Sequence, residues 1–133
     1  YSYPINPLPI TTGEFYSKRI YTDGMLAHRG VDLRAAKGTP VTAINAGKVV
    51  LAVRNFSLEG NAVIVDHGSG IFSVYLHFSK LEVREGQTVN KGQVLGLAGA
   101  TGDARGPHLH FMVKVGGVAI DPLRFIEIAN SLN

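Results

Sequence analysis

From Thr39 onward the apolar residues come in short runs separated by glycine turns, the pattern of strands rather than helices. Val41–Ile44 is one candidate strand, and Lys48–Val53 follows the turn at Gly47. Ala62–Asp66 and Ile71–His77 flank Gly68-Ser69-Gly70 and read as a hairpin. Turns at Glu85-Gly86-Gln87 and Asn90-Lys91-Gly92 enclose a short valine segment. Val94–Ala98 and His108–Val115 are strands, and Gly116-Gly117 turns the chain into Val118–Ile120. The end alone looks helical. Asp121 is a candidate N-cap with Pro122 at the first helical position, and Leu123, Ile126 and Ile128-Ala129 supply an apolar stripe as far as Asn130. Residues 1–27, with Pro4, Pro7, Pro9, Gly13 and Gly24, read as an extended arm packed on the domain, with a short strand near Ser17–Tyr21. The predicted class is mainly β with an antiparallel core and a short C-terminal helix. No repeat of fixed period is present, although two glycine-flanked strand clusters are loosely alike.

A length of 133 residues points to one domain. At 45% hydrophobic residues a real core is expected. The 16 glycines are an excess that the strand pattern assigns to turns. Cysteine is absent, which excludes disulfides, thiolate metal sites, iron–sulfur clusters and a cysteine nucleophile. The net charge of +3 suits an anionic polymer as well as nucleic acid and does not choose between them. No apolar run approaches the roughly 18–20 residues of a membrane-spanning helix. The chain opens on Tyr1 without a basic-then-apolar leader, as expected of a mature form or an excised domain.

The five histidines carry the candidate chemistry. His28 and Asp32 stand four apart where a loop runs into a strand, and imidazole with carboxylate is a good zinc donor set. The plain structural reading is a surface histidine beside a solvated aspartate. His108-Leu109-His110 places two imidazoles on one face of a strand, suited to a metal ligand beside a base, or else to an exposed polar face. His77 ends its strand and by alternation shares a face with Ser73 and Tyr75. His67 precedes the Gly68 turn and is assigned to structure. Together, three nitrogen and oxygen donors plus spare imidazoles fit a catalytic zinc, which uses three protein ligands and keeps one position for water. No His-Glu-x-x-His helix is present, so a thermolysin-type site is excluded.

An ordered set of short motifs runs through the chain. It comprises His28-x-Gly30-x-Asp32, Gly38-Thr39-Pro40-Val41, Gly60-Asn61-x-Val63, His67-Gly68, Tyr75-x-His77, Gly92-Gln93, Thr101-Gly102 and Gly106-Pro107-His108-Leu109-His110-Phe111. In this order they resemble the lysostaphin/LytM-type zinc endopeptidases of bacterial cell walls, over His28–Pro122. The resemblance implies a β core of the duplicated-hybrid-motif type with a groove over the sheet, formed by residues 28–133. It implies one Zn²⁺ per chain held by His28, Asp32 and His110. His108 and His77 are then the unligated catalytic pair, with His108 the general base and His77 steadying water or the oxyanion. The implied substrate is a peptide bond of peptidoglycan, in stem-peptide crosslinks or a cross-bridge, and not nucleic acid. The implied setting is a monomer in the bacterial cell envelope, periplasmic or secreted, with inhibitory or anchoring domains outside this segment. Phe78 stands where the family often has Leu, Arg105 where Ser or Thr is common, and Met112 where Glu is frequent. Tyr21 is a candidate phenol for the groove, or a packing residue.

Two other classes compete. One is a catalytically silent relative that activates an enzyme or binds the wall; such relatives lose ligands, whereas His28, Asp32, His77, His108 and His110 are all present. The other is a carrier domain, suggested by Glu85–Gln93. A carrier needs a lysine at a hairpin tip, and Gly96-Leu97-Ala98-Gly99 offers none.

Overall fold

In a computed structural model of the chain, which describes residues 1–6, 11–13, 30–56, 60–99 and 107–132, the glycine-punctuated runs pair into one antiparallel sheet. Its strands are β1 (Thr11–Gly13), β2 (Val31–Arg34), β3 (Pro40–Thr42), β4 (Gly47–Phe56), β5 (Gly60–Asp66), β6 (Ile71–Leu81), β7 (Thr88–Val89), β8 (Val94–Ala98), β9 (His108–Val115) and β10 (Val118–Ile120). Among the described residues one helix, α1 (Pro122–Ser131), follows. The main path runs β1-β2-β9-β6-β5-β4-β7. β10 adds to β9, and β8 bridges β6 and β3. The expected mainly antiparallel class is therefore observed. β8, β9 and β10 match their predicted bounds, while β4 and β6 run on to Phe56 and Leu81. The strand expected at Ser17–Tyr21 lies outside the described residues.

Period-2 alternation sorts the sheet into two faces. Val31 and Leu33, Val63 and Val65, Tyr75, and Leu109, Phe111 and Val113 turn into the main core. The other face carries a smaller apolar cluster of Ala62, Val74, Leu76 and Met112. The helix closes one end as predicted. The Asp121 carboxylate accepts from the Arg124 amide at 3.2 Å, Pro122 needs no amide partner, and Ile126 is buried in the main core. The first residues of the chain join the same core: Ile5 is buried, the Thr42 amide donates to Pro4 at 2.8 Å, and Tyr1 meets Phe125 edge-on at 5.1 Å.

Phe78 is fully buried against Gly96, where an added Cβ would lie 2.9 Å from its ring and 2.4 Å from the Lys80 carbonyl. A phenylalanine fits here because Gly96 on the adjacent strand leaves room for its ring.

His67 is structural, as expected. Its Nδ1 lies 2.9 Å from the Ala46 carbonyl and its Nε2 lies 2.7 Å from the Ser73 hydroxyl. Ser73 and Tyr75 share a further hydrogen bond at 2.8 Å, and the Ile44 amide donates to the Tyr75 oxygen at 3.2 Å. Hydroxyl rotors adapt, and one direction satisfies the whole chain. The Ala46 carbonyl can only accept, so Nδ1 carries the proton. Nε2 then accepts from Ser73, and Ser73 from Tyr75. Burial pushes the Tyr75 phenol far above its ordinary range, so it stays a neutral link. Burial likewise lowers the His67 pKa below 6.5, outweighing the Ala46 hydrogen bond and the Asp66 charge, which raise it.

A lowered histidine pKa means that the folded state holds the proton less tightly than the unfolded state. His67 therefore contributes stability fully above about pH 6.5, and that contribution is lost as pH falls through the folded pKa. Urea denaturation of the wild type and His67→Gln should show a stability gap that narrows steadily below pH 6.5. A gap independent of pH would show that the imidazole is not held neutral.

Candidate active site

The register of β2 against β9 places Asp32 opposite His110 and Arg34 opposite His108. The register of β9 against β6 places His110 opposite Leu76. Directly opposed residues in an antiparallel sheet share a face, so Asp32, His110 and Leu76 form one row across three strands. His108, two residues from His110, joins that face by alternation. The Asp32 Oδ1 lies 2.6 Å from His110 Nδ1 and 3.5 Å from His108 Nε2. His110 thus bonds a carboxylate oxygen 78 positions away in sequence.

His77 completes the group by a route that alternation does not predict. Regular pleating would turn it into the core with Ser73 and Tyr75. Instead Tyr75 and Phe78, three apart, both enter the main core, and Leu76 and His77 both lie on the other face. His77 has a positive φ of 70° at this irregularity. Its ring centroid stands 5.0 Å from that of His108 and 6.3 Å from that of His110. The expectation that His77 shares a face with Ser73 and Tyr75 is thereby corrected. The strand also forks here: residues up to Leu76 pair with β9, and those from Phe78 pair with β8. The strand read as ending at His77 runs on to Leu81, and the change of partner falls on His77.

Gly30 explains how β2 approaches so closely. A Cβ there would lie 2.4 Å from the Phe111 carbonyl, 2.6 Å from Met112 Cγ and 3.1 Å from His110 Nε2. This steric role was missed in the sequence, although an isolated glycine between two candidate ligands is the signal that carries it. Met112, in the position where Glu is frequent, is buried in the apolar floor beside the row.

Electrostatics favour an ionised Asp32. Burial alone would raise its pKa. The hydrogen bond with His110, then the charges of His110, His108 and His77, outweigh burial and hold the carboxyl below its ordinary 3.8. His110 Nε2 is buried with no hydrogen-bond partner among the described residues. An unmatched imidazole nitrogen is costly in an interior and is suited to a metal or a transferable proton. Among the described residues no group of three or more His, Cys, Asp or Glu is arranged to hold a metal ion. Asp32 and His110 are the donor pair present; His28, Tyr21 and Arg105 lie outside the described residues.

The sequence profile described as Peptidase family M23 matches residues 26–122. The chain belongs to Peptidase family M23. This M23 chain is 39% identical over 136 residues to the peptidoglycan DD-endopeptidase ShyB of Vibrio cholerae, covering 98% of the chain and 32% of that relative. It therefore spans about a third of the length of the curated relative that it matches. A crystal structure of a zinc-containing peptidase from Vibrio cholerae superposes with a TM-score of 0.79 at 35% identity, over 90% of this chain and 37% of the other. The catalytic domain of the antimicrobial peptidase lysostaphin from Staphylococcus simulans superposes with a TM-score of 0.73 at 32% identity, over 90% of this chain and 92% of that domain. Among the described residues of the M23 chain, no helix is long and apolar enough to cross a membrane.

Gly30→Ala should force β2 away from β9 and cost about 1–3 kcal/mol of stability, the usual scale of overpacking. Urea denaturation measures it. An unchanged midpoint would mean that the two strands are not held this close.

Proposed function

We propose that this chain is a zinc-dependent peptidase that hydrolyses peptide bonds of bacterial peptidoglycan in the cell envelope. One observation carries the reading: Asp32, His110, His108 and His77 gather on one sheet face, with two imidazoles on one carboxylate oxygen. Membership of the M23 family and the printed activities of its relatives support the same conclusion.

The donors fit zinc in kind, being nitrogen and oxygen ligands in a chain without cysteine. His28, Asp32 and His110 would hold the ion. When bound, zinc polarises the scissile carbonyl and brings the pKa of water towards 7. The remaining steps belong to the chain. His108 takes the proton of the attacking water on its imidazole and delivers it to the leaving amine. His77 stands beside His108 and donates a hydrogen bond to the developing oxyanion. Asp32, kept ionised, holds His110 in place and offsets positive charge on its neighbours. The apolar floor of Leu76, Val74 and Met112 keeps water from the side of the row, which strengthens each of these interactions. The substrate is a stem-peptide crosslink or a cross-bridge, reached as a monomer.

Chelation should abolish release of muropeptides from purified sacculi, and added zinc should restore it. Metal analysis should find about one zinc per chain in the wild type and His108→Ala. His110→Ala should lose zinc. His108→Ala should lose about 10²–10⁴-fold in kcat, the range of a general base. Release that is indifferent to chelation would sink the proposal. A chain that binds sacculi without zinc or cleavage would instead be a silent wall-binding module. Equal zinc loss in both variants would reject the division of roles.

A further inference from the structure

β6 carries one residue more than its neighbour can match. Asn61 pairs with Phe78 and Val63 with Tyr75, so two steps along β5 meet three along β6. The surplus is taken up at His77, with its φ of 70°. The opposite edge of β5 shows the same mismatch. Ala62 pairs with Val53 and Gly60 with Phe56, so two steps again meet three, now along β4. Here the left-handed residue is Asn55, at a φ of 60°. Two bulges therefore flank the same stretch of β5, each with a non-glycine residue in a region that L residues rarely occupy.

One side chain reaches both. Asn61 Nδ2 donates to the Phe78 carbonyl at 2.9 Å, and its Oδ1 accepts from the Asn55 amide at 2.9 Å. The residue is 8% exposed, so water competes little for either bond. Phe78 is the residue next to His77, and its carbonyl is fixed just past the bulge. A primary amide has both the donor and the acceptor that this position uses. An aspartate would set a second acceptor against the Phe78 carbonyl, and an alanine would abandon both groups.

We infer that Asn61 is the positioning residue for His77: by clamping the bulges of β4 and β6 together, it holds the His77 imidazole on the face of His108 and His110 rather than in the core. Without the clamp, β6 gains by relaxing towards regular pairing, which turns His77 towards the face of Tyr75. The catalytic half of this inference rests on the proposed function; the structural half does not.

The test compares wild type, Asn61→Asp, His77→Ala and the double variant. In the wild type, nuclear Overhauser contacts should link the rings of His77 and His108, and those of Tyr75 and Phe111. In Asn61→Asp the first contact should vanish while the second, inside the core, remains. On defined muropeptides its kcat should fall about a hundredfold at unchanged KM, the scale of a misplaced catalytic group. In the His77→Ala background the Asn61→Asp change should cost nothing more. Persistence of the His77–His108 contact would overturn the inference, as would a further multiplied loss in the double variant. Asn61→Gln keeps both polar groups on a longer stem. If Asn61→Asp does not fold, the same ring contacts and rates are read in that variant. If the wild type cleaves nothing, the proposed function fails, and the ring contacts still decide the role of Asn61.

Discussion

The pairing of β2 with β9 is the constraint on which the rest of the site depends. It makes neighbours of Asp32 and His110 with backbone hydrogen bonds alone, before any side chain is considered. A slip of one residue would exchange the faces of every side chain on β2. Asp32 would enter the main core and Leu33 would leave it. Burying an unpaired carboxylate costs several kcal/mol, and exposing a buried leucine costs about 1.5–3 kcal/mol more. Val31, Leu33, Leu109 and Phe111 therefore lock the register from the far side of the sheet. The polar row needs no strong interaction of its own to exist, since the apolar face places it.

His77 obeys the opposite logic. Its position violates the pleat, and left-handed backbone at a non-glycine residue costs about 1–3 kcal/mol. Such strain persists where the surroundings over-determine it. Here β6 divides its pairing between β9 and β8 at this residue, Phe78 is anchored in the core on one side, and Leu76 is anchored in the floor on the other. With both flanking residues committed, the surplus of β6 falls on His77, and Asn61 holds the bulge there through the Phe78 carbonyl. The pleat is broken where the chain gathers its imidazoles, as is common at a functional site.

That contrast explains what could be read from the sequence. The strand bounds of β8 to β10 and the cap of α1 follow from alternation, glycine turns and the Asp121-Pro122 pair, all local signals. The shared face of His108 and His110 follows from period 2 alone. The facing of His77 was not legible, because a bulge is defined by a partner strand and Asn61 stands 16 residues away. For the same reason Gly60-Asn61-x-Val63 was visible as a motif without a role. The closeness of Gly30 to Phe111 likewise belongs to a pairing across most of the chain. Its place between His28 and Asp32 marks Gly30 out, but the carbonyl it approaches lies 81 positions further on.

Met112 borders the His110 nitrogen that has no partner among the described residues. A Cβ at Gly30 would touch Met112 Cγ and approach His110 Nε2, so both border the same small gap. A carboxylate at the position of Met112 would lie two residues from His110 on the same face, where it could accept a proton from Nε2. A thioether is a weak acceptor and offers no such partner. The proton of a neutral His110 is then better placed on Nδ1, shared with the ionised Asp32 at 2.6 Å, which leaves the Nε2 lone pair bare. The tautomer of this imidazole is decided by one carboxylate rather than by competition between two.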